Sequence, residues 1–389
     1  MNILLDFIPF QNAGGVGGAT SFAKAISDEI IKRQTITKNL NLFAIYDSSI
    51  PPGRQYDYRE YAETHHIYLL DIASAPLNEH INQQRIDVLL ITIGQFYARY
   101  TLDNIKCKVI MFIHDLWDME RTDNKIDLII KDSTTESKWQ WAKRVLNVLT
   151  GRNNRKRNAI YNHIMPLYMA ENTIAYTVSN YSRQSLYYYF PEINKKIDVC
   201  YSPIREVNIL PSIENTQLQE LINNHKPYLL LIAANRLFKN ASTLIRVFKR
   251  IQKEHPDLHL LTLKYGKNIH SHHIDIPFLS DSDLEHAYKN AYALVFASFF
   301  EGFGYPPIEA LRHGTPTIAS NVTSIPEILG NAGIYFSPFY PADLYRALKE
   351  VLKDRNLKQA AMAQRLEEVT LRQREDLNRL VNQIVSGKD

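Results

Sequence analysis

The chain has 389 residues, 45% of them hydrophobic, which is more apolar material than one compact core usually holds, so two domains are expected. Its 45 Lys+Arg nearly cancel its 41 Asp+Glu, which excludes a general nucleic-acid binder, since that function needs a dominating basic surface. Cys107 and Cys200 have neither metal-type spacing nor a disulfide framework, and they fit a reducing compartment.

Short β-branched or apolar runs alternate with longer amphipathic stretches, the pattern of parallel sheets covered by helices. Strands are predicted at 3–8, 40–46, 67–72, 87–93, 108–113, 173–178 and 197–201, forming one doubly wound domain over 1–205. A polar stretch follows as a linker, and a new strand opens at 228–232. Further strands at 258–263, 293–297, 317–319 and 333–336 build a second α/β domain over 206–370. A charged helix closes the chain, its 371–389 portion expected to pack back on the first domain. Residues 1–6 turn polar too early for a signal peptide, and no apolar run approaches the roughly 20 residues of a spanning helix. The expected location is cytoplasmic, with room for contact at the inner face of a membrane.

The most specific segment is Phe299-Phe-Glu-Gly-Phe-Gly-Tyr-Pro-Pro-Ile-Glu-Ala-Leu311, with a strand before it and a helix opening at Pro306 or Pro307. Amides of Gly302, Phe303 and Gly304 would lie at that helix's positive end, where glycine permits close approach of an anion or a sugar oxygen. Glu301 and Glu309 can then face one site, although first-turn acids also complement a helix dipole without further purpose. This segment resembles the Glu-x7-Glu motif of the GT4-like retaining glycosyltransferases. The following His313-Gly-Thr-Pro-Thr-Ile-Ala-Ser-Asn321 and Ile325-Pro-Glu-Ile-Leu-Gly330 resemble the rest of that family's second domain.

The resemblance implies an α/β chain of the GT-B kind, two doubly wound Rossmann-like parallel-sheet domains facing a central cleft. It also implies a metal-independent, retaining hexosyl-type transferase (EC 2.4) that moves a sugar from a UDP- or GDP-linked donor. The acceptor would be a glycan or a lipid-linked saccharide, as in surface polysaccharide synthesis. By the same resemblance Glu309 would bind the donor ribose, and Glu301 with the amides after it would hold the donor sugar. Upstream, Ala233-Ala-Asn-Arg-Leu-Phe-Lys-Asn-Ala241 ends a strand and opens a helix, placing Arg236 and Lys239 where a leaving diphosphate develops charge. The spacing of Lys239 is shorter than the family's, and Lys264, at the end of the next strand, is the alternative cation.

In the first domain, Gln11-Asn-Ala-Gly-Gly-Val-Gly-Gly-Ala-Thr20 follows the first strand and precedes a helix, a setting in which backbone amides can approach a phosphate or sugar. A Rossmann dinucleotide site is disfavoured because the Gly-x-Gly-x-x-Gly spacing is absent. The resemblance assigns Gly15, Val16 and Gly17 to the donor. His114 ends the strand Val109-Ile-Met-Phe-Ile-His114 at the carboxyl edge, where open parallel sheets bind ligands, and it resembles the family's sugar-contacting histidine. A strand-end histidine can equally satisfy local backbone groups.

Other features read as structural. Asp281-Ser-Asp283 precedes a helix with Ser280 as N-cap and Asp283 as its capping-box partner, so no metal site and no cofactor are expected. The pairs His65-His66 and His272-His273 are taken as loop residues. In 137–157, Trp141, Val145, Val148 and Leu149 share one helical face, and four basic residues follow at 152–157. That pattern fits an amphipathic helix packed on its own domain, or one resting on an anionic membrane surface and receiving a lipid-linked acceptor. Two rival functions remain open. One is a sugar-nucleotide 2-epimerase on the same fold, against which the Gly-Phe-Gly-Tyr-Pro turn speaks. The other is a non-catalytic partner subunit.

Overall fold

The computed structural model describes residues 1–11, 18–36, 40–53, 57–123, 137–205 and 207–386. The chain divides into two compact units, the first made of Met1–Leu116, Asn154–Arg205 and Leu371–Asp389, the second of Trp117–Asn153 and Glu206–Thr370. Residues 117–153 thus group with the second unit, an excursion that the boundary at 205/206 does not include.

Unit 1 holds a seven-stranded sheet, in which β1 (Asn2–Asp6), β2 (Asn41–Tyr46), β3 (Tyr68–Asp71), β4 (Val88–Ile91), β5 (Lys108–Phe112), β6 (Thr173–Thr177) and β7 (Ile197–Val199) run in the order β3-β2-β1-β4-β5-β6-β7. Every pairing is parallel. Central strands such as β4, Val-Leu-Leu-Ile, are buried throughout because helices cover both faces, and this is why they read as continuous apolar runs. The first strand is shorter than its apolar run. The Asp6 carboxylate accepts from the Ile8 amide (3.3 Å), and the chain turns into a short helix at Ile8–Gln11.

Unit 2 holds β8 (Tyr228–Leu231), β9 (His259–Leu263), β10 (His273–Ile276), β11 (Ala293–Phe296), β12 (Thr317–Ser320) and β13 (Ile334–Phe336) in the order β10-β9-β8-β11-β12-β13, again all parallel. Its core packs the amphipathic helices Ala241–Glu254 and Pro341–Lys353 on the sheet through Leu244, Phe248, Leu344 and Leu348. The edge strand β10 corrects the loop assignment of His273. That histidine is buried, its Nε2 lies 2.8 Å from Thr262 Oγ1, and burial pushes its pKa down to about 4. His-Ile-Asp-Ile is too short and too polar for periodicity to reveal, and pairing with β9 is what makes it a strand.

The closing helix, Gln359–Val385, passes from one unit to the other. Within unit 1, Gln373 donates to Ser202 O (2.6 Å), Asp376 accepts from the Tyr201 amide (3.0 Å), and Arg33 donates to Asn378 (3.0 Å). Among the described residues, no helix is long and apolar enough to cross a membrane.

Candidate functional site

In a doubly wound sheet, the strands that leave β1 in opposite directions open a crevice at their carboxyl ends, and ligands collect there. Unit 2 has this point between β8 and β11. The loop after β8 carries Arg236, which is exposed, and Lys239, which is buried in a short 3-10 turn at Leu237–Lys239. The loop after β11 carries Glu301. The two meet: Lys239 Nζ donates to Glu301 Oε1 at 2.5 Å, their side chains only 7% and 13% exposed. Ser298 Oγ donates to the same oxygen (2.6 Å), and the Glu301 amide donates to Thr323 Oγ1 (3.1 Å). Ser324 Oγ donates to the carbonyls of Glu301 and Phe303 (2.9 and 3.2 Å), fixing the turn from below. The ammonium also lies over the Phe296 ring, 4.5 Å from its centroid. Burial holds the Lys239 pKa below its ordinary value, against the opposing pull of Glu301.

Gly302 is half-buried, Phe303 is buried, and Gly304 is the N-cap of the helix Tyr305–Arg312. Gly304 has φ +100°, where a side chain would be strained. Proline in the first turn of that helix costs no hydrogen bond. One turn in, Glu309 is buried and accepts from the Tyr288 hydroxyl at Oε2 (2.6 Å). Below it, Glu285 accepts from Arg312 (2.8 Å) and pairs with His313 (2.6 Å), tying the helix Asp281–Asn290 to the end of the Glu309 helix. The sequence could not show Tyr288 or Glu285 as partners, because only the helix crossing brings them there. Ser298 carries a fainter signal, being a hydroxyl one residue past the strand run and three before Glu301.

Lys264, the alternative cation, directly follows β9 in left-handed backbone (φ +66°), its amide donating to Ile276 O (3.0 Å). The contacts at Glu301 come instead from Lys239 and Ser298. An open basic hollow in this unit, lined by Arg246, Lys249, Arg250 and Lys253, includes none of the candidate residues.

Unit 1 has its own switch point between β1 and β4. Asp6, at the end of β1, is buried and accepts from Thr92 N (2.9 Å), Thr92 Oγ1 (2.7 Å) and Tyr97 OH (2.8 Å). The Thr92 carbonyl in turn accepts from His114 Nε2 (2.8 Å). A carbonyl can only accept, so Nε2 carries the ring proton and Nδ1 is left as an acceptor. Burial pushes the His114 pKa down to about 4 and the Asp6 pKa up to about 6, in the second case against the hydrogen bonds from Thr92 and Tyr97. The Phe22 ring meets the imidazole edge-on at 4.5 Å. Gly15, Val16 and Gly17 lie outside the described residues. The sequence reading missed Asp6, although an acid ending the first strand just before a glycine loop was a usable signal.

Ser280 caps its helix as expected, accepting from the Asp283 amide (3.1 Å). The reciprocal half of the box differs: the Asp283 carboxylate accepts from the amides of Glu214 and Asn215 (3.0 and 2.9 Å), pinning the linker after unit 1. Among the described residues, no group of three His, Cys, Asp or Glu side chains could hold a metal ion.

Residues 212–368 match the family described as "Glycosyl transferases group 1". The O-antigen chain mannosyltransferase RfbU of Salmonella typhimurium is 26% identical over 190 residues, covering 46% of this chain and 50% of that protein. The serotype-specific mannosyltransferase WbdA of Escherichia coli is 43% identical over 91 residues, 22% of this chain and 11% of that one. The matches thus span half or less of these relatives. Among solved structures, sucrose-phosphate synthase from Thermosynechococcus elongatus superposes with a TM-score of 0.69 at 13% identity, covering 100% of both chains. HepE of Anabaena, in complex with UDP and glucose, superposes with a TM-score of 0.64 at 14% identity, covering 99% of this chain and 100% of that one. The fold is therefore GT-B, and residues 212–368 are similar in sequence to the group 1 glycosyltransferases.

Proposed function

We propose that this chain, on the premise of its likeness to the group 1 glycosyltransferases, transfers a sugar from a nucleoside diphosphate to a saccharide acceptor in polysaccharide synthesis. The observation that carries the reading is the buried Lys239–Glu301 pair beside the Gly302–Phe303–Gly304 turn at the switch point of the second sheet. A buried ammonium next to amides at a helix N-terminus suits a diphosphate leaving group, because its charge is met without reorganisation of the site. Arg236 would add a guanidinium at the exposed rim, and Glu309, aimed by Tyr288, would accept the ribose hydroxyls. His114 would present Nδ1 to a sugar hydroxyl. That the relatives RfbU and WbdA are named mannosyltransferases favours mannose as the sugar.

In the step we envisage, the bond from the anomeric carbon to the phosphate oxygen breaks, and the diphosphate departs with both electrons. The acceptor hydroxyl attacks from the same face and passes its proton to the departing phosphate oxygen, so configuration is retained. No metal or cofactor takes part, and a nucleotide-sugar donor would place the reaction in the cytoplasm.

The test is a panel of UDP- and GDP-sugars in EDTA, following nucleoside diphosphate release by wild type and Glu309→Ala with a mannan-type acceptor. Release from one donor, unaffected by EDTA and at least about a hundredfold slower in the variant, is expected. Nucleotide binding by calorimetry without turnover of any donor would instead identify a non-catalytic subunit.

A further inference from the structure

The ladder between β1 and β4 pairs Ile3 with Val88 and Leu4 with Leu89 and goes no further, stopping at the carboxyl edge where the crevice of unit 1 opens. Buried backbone past that point still needs partners for its polar groups. Thr92, one residue beyond β4, is buried there, and a side chain stands in for the strand. Oδ2 of Asp6 accepts from the Thr92 amide (2.9 Å) and from its hydroxyl (2.7 Å). The other oxygen, Oδ1, accepts from the Tyr97 hydroxyl (2.8 Å) and the Ile8 amide (3.3 Å), so the carboxylate is itself fixed from two further sides. Thr92 is thus clamped at both its amide and its side chain.

The clamp aims one carbonyl. His114, two residues beyond β5, donates from Nε2 to Thr92 O (2.8 Å). The opposite tautomer would set the Nε2 lone pair against those of the oxygen, so this carbonyl selects which ring nitrogen carries the proton. Phe22 and Phe112 meet the imidazole edge-on, 4.5 and 6.2 Å between centroids, and as hydrocarbon rings they cannot choose between tautomers. Among the described residues no hydrogen bond joins Asp6 to the ring, and Thr92 stands between them.

We propose that Asp6 is a positioning residue: acting through Thr92, it holds His114 in the tautomer whose Nδ1 accepts from a hydroxyl of the donor sugar. The contact with the sugar rests on the transferase reading, whereas the hold on the ring does not. The test therefore reads them separately. In the full chain carrying nitrogen-labelled histidine, long-range proton–nitrogen correlations of His114, assigned by their loss in His114→Asn, show which nitrogen is protonated with no donor present. Wild type at neutral pH is expected as the Nε2–H form. Asp6→Ala should leave a mixture of the two tautomers. Asp6→Asn should restore the wild-type form, because its carboxamide oxygen can still accept both Thr92 bonds while its amino group turns to the Tyr97 hydroxyl oxygen. Thr92→Val, which deletes one of the two bonds from Thr92 to Asp6 and keeps the backbone, should show a smaller admixture and serves if Asp6→Ala does not fold. With a donor, kcat should fall at least about tenfold in Asp6→Ala while the donor KM moves less than about threefold, and Asp6→Asn should recover most of the loss. A carboxylate that merely stabilised the crevice would lower the melting temperature and leave the tautomer alone. An unchanged tautomer in the Asp6→Ala and Thr92→Val proteins, or a mixture already in wild type, would overturn the proposal. A shifted tautomer with unchanged kcat would overturn the sugar contact. Failure to turn over any donor would sink the transferase reading by itself, since the tautomer is decided without one.

Discussion

The two sheets share the order of their first six strands, and each places a largely enclosed carboxylate at its switch point, yet the two units answer that charge differently. In unit 1, Asp6 is met only by neutral donors from Thr92, Tyr97 and Ile8, and burial wins, raising its pKa to about 6. In unit 2, Glu301 is met by the Lys239 ammonium at 2.5 Å. Dipoles soften the cost of a buried charge, whereas an opposite charge offsets it but leaves each partner stranded without the other.

The severest way to break this comparison is Lys239→Met, which leaves the Glu301 carboxylate buried without its cation and should cost about 3–5 kcal/mol in urea unfolding. Adding Glu301→Gln should recover much of that loss, and additive losses would show that the pair is not coupled.

Next in size is a pH effect. Folded, Asp6 keeps its proton up to about pH 6, but unfolded only to its ordinary value of 3.8, so between these values its contribution to stability falls as pH rises. His114 works in the opposite sense. Its pKa drops from 6.5 to about 4 on folding, the unfolded chain binds the extra proton in that window, and stability rises with pH. Each contribution amounts to about 3 kcal/mol across its window. Asp6→Asn should therefore gain stability more steeply than wild type between pH 4 and 6, and His114→Asn less steeply. Parallel curves for all three proteins would remove the electrostatic account of unit 1.

Smaller still, Tyr288→Phe deletes the hydroxyl that aims Glu309 and should cost about 2 kcal/mol of stability, with roughly tenfold weaker nucleotide binding by calorimetry. Ser280→Ala sharpens the contrast between site and scaffold. It removes a helix cap for about 1 kcal/mol, and donor turnover should not change.

The doubly wound pattern was legible because central parallel strands such as β4, β8 and β11 are buried apolar runs, and their regular spacing carries the weaker edge strand β3 with them. The polar edge strand β10 is not legible in this way, because it becomes a strand only by pairing with β9. The Glu301 segment was legible because a glycine turn, two prolines and two acids at fixed spacing are local facts of the chain.

What the sequence determined by itself was whatever depends on neighbours along the chain: the strands other than β10, the cap at Ser280, and the turn at Gly302–Gly304. Only the tertiary structure decided which groups meet across long separations. It brought Lys239 to Glu301, Tyr288 to Glu309, and Asp6 through Thr92 to His114. It also turned Trp139 and Leu146 outward while Trp141 and Val145 became half-buried. Helical periodicity shows that a helix has an apolar face, but which part of that face is covered depends on elements distant in sequence, and those are placed only when the chain packs.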